Sequence, residues 1–122
     1  MVEDEFLIQN QLEEAIVEAG FKVVTASAGK EAIAMLEERH STFRALVTDI
    51  RLGPGEITGW DVARRGRELN PELPVVYTTG DSGHDWASEG VPNSVLVVKP
   101  FALAQIVTAV AQLINAAGPP KA

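Results

Sequence analysis

The sequence predicts an α/β domain in which a parallel sheet is covered by helices on both faces. Three observations predict it. Short apolar runs alternate with amphipathic stretches of helical period along the chain, the pattern of consecutive strand–helix units. Runs such as residues 43–48 and 95–98 are almost continuously apolar rather than alternating, as strands buried on both faces require. A polar group also closes each run: Asp49 after Ala45-Leu46-Val47-Thr48, Thr78 after Val75-Val76-Tyr77, and Lys99 after Val95-Leu96-Val97-Val98. Open α/β sheets gather their ligand sites at these carboxyl ends.

Taken in order, Met1-Val2 is at most the stump of a first strand. Residues 6–19 place Ile8, Leu12, Ala15, Ile16 and Ala19 on one helical face, and Gly20 ends that helix as a C′ glycine. Residues 21–25 form a short second strand. Residues 30–39 are helical with Ala32, Ile33 and Leu36 inward, and residues 43–48 form the third strand. The glycines and proline of residues 52–59 mark a loop. A helix over 60–69 stops at Asn70-Pro71. Residues 74–78 form the fourth strand, 84–89 a short weak helix and 94–98 the fifth strand. The last helix, over 103–115, turns Leu103, Ile106, Val107, Val110, Leu113 and Ile114 inward, and residues 118–122 are a flexible tail.

A chain of 122 residues, 46% apolar, makes a single domain with one core. The net charge of −7 argues against direct nucleic-acid binding, because phosphate backbones are held by Lys and Arg. The absence of cysteine excludes disulfides and thiolate chemistry. No apolar run approaches the roughly 18 residues of a membrane span, and the acidic start does not read as a targeting peptide. A cytoplasmic chain without membrane contact is expected. No G-x-x-x-x-G-K-[ST] loop, G-x-S-x-G elbow or histidine pair at ligand spacing is present.

A parallel sheet would bring Glu3-Asp4-Glu5, Asp49, Thr78 and Lys99 to one edge. Acids, a hydroxyl and a lysine together suit a divalent cation plus a phosphoryl group. An aspartate attacking phosphorus meets negative oxygens, so charge must be neutralised. Mg²⁺ takes about six oxygen ligands and keeps waters, which carboxylates and a carbonyl can complete. Taken singly, each motif has a plainer reading. The amino-terminal acids could simply match a helix dipole, and Asp49 could be a turn residue.

In combination, Val2-Glu3-Asp4-Glu5, Val47-Thr48-Asp49, Val76-Tyr77-Thr78 and Val97-Val98-Lys99-Pro100-Phe101 resemble the receiver domain of two-component response regulators, over essentially the whole chain. The resemblance implies a (βα)₅ flavodoxin-like, doubly wound five-stranded parallel sheet of order 2-1-3-4-5, with the receiver over residues 1–117. It implies Asp49 as phosphoacceptor and Asp4 as a direct Mg²⁺ ligand, with Glu3 acting through water and the Arg51 backbone carbonyl completing the set. Thr78 would contact the phosphoryl group as conformational sensor, Lys99 would pair with a phosphoryl oxygen, and a cis Lys99–Pro100 bond would aim that lysine. The implied donor is a histidine kinase or histidine phosphotransfer protein. Output would be by protein–protein contact, with a homodimer through the last helix as one form. Such a chain catalyses its own phosphorylation and dephosphorylation and is not a turnover enzyme.

The chain departs from the family pattern at several points. Leu96 stands at the switch position, three residues before the lysine, where a bulky and often aromatic residue is usual. The loop after Asp49 is about two residues longer than the common pattern, Thr79 replaces a small residue, and the first strand is nearly absent. These departures keep a second reading open, a receiver-like interaction scaffold that does not switch. An aspartyl-phosphate phosphatase would want a carboxylate where Arg51 stands.

Overall fold

The computed structural model describes residues 1–52, 57–80, 85–99 and 101–116. The elements are α1 (Phe6–Glu18), α2 (Gly29–Arg39), a short 3₁₀ turn (His40–Thr42), β1 (Leu46–Asp49), α3 (Gly59–Leu69), β2 (Val75–Thr79), α4 (Trp86–Glu89), β3 (Val95–Val98) and α5 (Leu103–Ala116). The three strands pair in parallel in the order β1-β2-β3, with Asp49 opposite Thr78 and Tyr77 opposite Leu96.

Strand alternation divides the core between the two faces. Leu46, Val75 and Tyr77 pack with Ala32 and Leu36 of α2 and Val62 and Ala63 of α3. Val47, Val76 and Val97 pack with Leu12 and Ile16 of α1 and with Ile106, Val110 and Ile114 of α5. The expected doubly wound arrangement is therefore present, with helices on both sides of a parallel sheet. Trp60 lies edge-on to buried Tyr77, ring centroids 4.7 Å apart, and Leu96 packs against the same cluster.

The first two expected strands are reduced to single bridges, Val2 with Thr48 and Val2 with Ala26. Through these bridges the order runs Ala26, Val2, β1, β2, β3, which follows 2-1-3-4-5 as far as paired residues carry it. Among the described residues the two segments meet through Met1 N to Val24 O (2.8 Å), Ala26 N to Met1 O (2.9 Å) and Glu3 N to Ala26 O (3.1 Å).

Local signals behave as the chemistry demands. Gly20 has φ +98°; its N–H donates to Val17 O and that of Phe21 to Ile16 O, the Schellman pair of bonds that closes a helix. Loop residues 53–56, residues 81–84 with His84, Pro100 with its expected cis bond, and residues 117–122 with the tail boundary all lie outside the described residues.

Candidate functional site

β1 ends at Asp49 because the sheet ends there. Its N–H donates to Val2 O at 2.9 Å, and Ile50 N–H turns back to Thr78 O at 3.0 Å. The same Ile50 N–H lies 3.0 Å from Asp49 Oδ1, so one carboxylate oxygen is held by backbone. The other, Oδ2, accepts from Lys99 Nζ at 3.0 Å. Lys99 is set in place as β3 ends, its own N–H donating to Thr79 O at 2.7 Å. Thr78, beside Asp49 in register, and Thr79 are both buried.

Glu3 is 1% exposed. Its Oε1 accepts from Lys99 Nζ at 3.2 Å and its Oε2 from Glu5 N–H at 3.1 Å. Buried Gln9 braces this corner from α1, donating to Glu3 O at 3.1 Å and Ala26 O at 3.3 Å. Asp4 next to it is exposed. Carboxylate oxygens of Glu3, Asp4 and Asp49 lie within 4.8 Å of one another. Arg51 lies on the exposed side of the following loop.

The electrostatics follow from two buried acids sharing one base. Burial pushes the Glu3 carboxyl up to about 7, with the Asp49 charge adding and Lys99 opposing. Burial also raises Asp49, against the hydrogen bond and charge of Lys99. Burial works to lower Lys99, but Asp49 and Glu3 outweigh it and hold the ammonium above its ordinary value. The cluster thus carries more negative charge than Lys99 alone neutralises. An all-carboxylate donor set with excess negative charge and one exposed member suits a hard, oxygen-seeking cation such as Mg²⁺.

Three features of the site escaped the sequence reading. Gly59 donates its N–H to Ile50 O at 2.7 Å, and a β-carbon there would collide with the Asp49 carbonyl. Only glycine lets α3 start this close to the acceptor strand. Thr58 and Asp61 form a reciprocal capping box at the start of α3; the T-x-x-D spacing was a usable signal. Gln9 offered none, being one polar residue on a helix.

The fold and this edge together define a class. A family model, the response regulator receiver domain, matches residues 1–111. The chain is 29% identical to the response regulator receiver protein CpdR of Brucella abortus, over 96% of each chain. It is 38% identical over 92% of its length to a response regulator receiver protein of Anaeromyxobacter sp., of which it spans 43%. A crystal structure of a response regulator receiver protein from Sinorhizobium medicae superposes with a TM-score of 0.91 at 42% identity, covering 95% of this chain and 92% of that one. The chain belongs to the response regulator receiver domain family of two-component systems, with its flavodoxin-like α/β fold. Among the described residues no helix is long and apolar enough to cross a membrane.

Proposed function

We propose that this receiver accepts a phosphoryl group on Asp49 from a histidine kinase or histidine phosphotransfer protein in the cytoplasm, with Mg²⁺, and that residues 1–117 form the switching unit. The observation that carries the reading is the position of the Asp49 carboxylate. It sits at the strand end, 3.0 Å from Lys99 Nζ and clustered with Glu3 and Asp4.

In this reading an Asp49 carboxylate oxygen forms the new bond to phosphorus as the phosphorus–nitrogen bond of the donor imidazole breaks. Asp4, Asp49 and the Arg51 carbonyl would hold the Mg²⁺, with Glu3 acting through water, and the ion would supply positive charge against the oxygens of donor and acceptor. Lys99 exchanges its bond to Asp49 for one to a phosphoryl oxygen, as a mobile point charge can. Ile50 N–H holds one carboxylate oxygen and so orients the other. Thr78 offers its hydroxyl to the phosphoryl group from the neighbouring strand end. The product carries about −1.5 to −2 charges, enough to bias the α4–β3–α5 face between two arrangements. With Leu96 packed on the Tyr77–Trp60 cluster, output runs through Thr78 movement rather than an aromatic swing. Phe6 and Leu7, 71% and 74% exposed directly after the acids, give the donor protein an apolar landing beside Asp49.

The test is intact mass after incubation with Mg²⁺ and acetyl phosphate. One added phosphoryl group is expected, absent in Asp49→Ala and in chelated samples. A folded, Mg²⁺-binding protein that gains no mass from either acetyl phosphate or a kinase would overturn the proposal in favour of the non-switching scaffold.

A further inference from the structure

Helix α1 buries Gln9 on the same face as Leu12 and Ile16. A polar side chain on a core face costs stability unless it is hydrogen-bonded. Gln9 Nε2 donates to Glu3 O at 3.1 Å and to Ala26 O at 3.3 Å, with Ser27 Oγ at 3.4 Å. The two carbonyl acceptors fix which end of the amide faces them, since only its NH₂ group donates.

The bond to Glu3 O stands where the strand pairing stops. Ala26 N–H donates to Met1 O, and Glu3 N–H donates to Ala26 O. In a continued parallel ladder the next donor to Glu3 O would be the N–H of residue 28. The chain instead enters α2 at Gly29, and Gln9 gives Glu3 O its donor. Helical side chains lean toward the amino end of their helix, which carries the Gln9 amide back over the first turn of α1 to this point.

Asp4 therefore lies between two held points. On one side Gln9 holds the Glu3 carbonyl. On the other the Glu5 N–H donates to Glu3 Oε2 at 3.1 Å. Asp4 itself is exposed, yet its carboxylate comes within 4.8 Å of those of Glu3 and Asp49. Groups that orient a metal's ligands without touching the ion change its affinity by about 10–100-fold.

We propose that Gln9 is a positioning residue for the Mg²⁺ site, holding the Glu3–Asp4–Glu5 turn in the conformation that presents Asp4 beside Asp49. The inference rests on the reading of this edge as a Mg²⁺ site. Without the amide the turn loses its tie to α1 and Asp4 samples positions away from Asp49. Binding the cation must then order the turn again, which lowers affinity.

The probe is Mg²⁺ alone, titrated calorimetrically into the full chain. Gln9→Met keeps the length of the side chain and removes its donors. It should raise the Mg²⁺ dissociation constant about tenfold, and the Mg²⁺ concentration for half-maximal acetyl phosphate uptake should rise by the same factor. Gln9→Asn keeps the amide one methylene short of Glu3 O and should also weaken binding; it carries the test if Gln9→Met does not fold. Ile16→Val, on the same buried face of α1, should lower the melting temperature and leave the Mg²⁺ dissociation constant unchanged. Two results overturn the proposal. One is wild-type affinity in the folded Gln9 variants. The other is an equal loss of affinity in Ile16→Val, which would trace the effect to helix stability. Wild-type protein that binds no Mg²⁺ overturns the reading of the site and this inference with it, a failure distinguished by its appearance before any substitution.

Discussion

The two ends of this sheet are built from the same strands and behave oppositely. At the carboxyl end Glu3, Asp49 and Lys99 crowd into a buried network with distances of 3.0–3.2 Å. At the amino end the same chains part around an apolar cavity with basic side chains among its lining. The first end is crowded with charge; the second is lined mostly by apolar side chains, with Lys22, Arg39 and Arg44 among them. One end stores electrostatic strain that a cation and a phosphoryl group can relieve. The other has no acidic side chain in the lining of its cavity.

The comparison is broken most severely by Lys99→Ala. It leaves two buried carboxylates without their common base, so metal-free stability should fall by about 3 kcal/mol, read in urea melts. Mg²⁺ should restore much of the loss, whereas phosphoryl uptake should stay impaired. An unchanged melt would mean that the network contributes no stability.

A pH series sharpens the same point. Glu3 is raised from its ordinary value to about 7, so the folded state holds a proton that the unfolded state releases. Its contribution is fully present below about pH 4.5 and is lost as pH rises through about 7. Raised Asp49 acts in the same direction. Metal-free protein should therefore lose stability between pH 5 and pH 8 relative to Glu3→Gln, in roughly that window. Thermal melts of the two proteins with and without Mg²⁺ check it, and the difference should shrink with the metal.

Gly59→Ala acts on the carboxyl end alone. The added methyl meets the Asp49 carbonyl, which should cost about 1–3 kcal/mol and slow phosphoryl uptake by moving the acceptor. The smallest effect belongs to Thr58→Ala, which removes a cap from α3. It should lower stability by about 1 kcal/mol and leave the rate of uptake with acetyl phosphate nearly unchanged. Equal rate losses in both variants would show that the α3 start, and not the close approach at Gly59, governs the acceptor.

Much of this was legible in the chain. Asp49, Thr78 and Lys99 each stand directly after an apolar run, and a parallel sheet must bring such ends together. Gly20 announced the end of α1 by its type. Met1-Val2 read as at most the stump of a strand and is a bridge, whereas residues 21–25 read as a strand and pair only through Ala26, because strand propensity says nothing about pairing. Glu3 read as a metal-side acid, and it does cluster with Asp4 and Asp49; its bonds to Lys99, 96 residues away in sequence, and to the Glu5 amide were not legible. Gln9 and Gly59 carried no distinguishing pattern, since burial of one amide and the approach of one carbonyl are long-range facts.

By itself the sequence determined the alternation of elements, the order of the carboxyl-end groups and the family to which they belong. Local propensity, periodicity and punctuation act over a few residues and survive without a partner. Only the tertiary structure decided that two acids share one lysine, that glycine alone fits beneath the acceptor, and that a cavity opens at the far end of the sheet. Each of these depends on distances between segments remote in sequence, which packing sets and no local pattern encodes.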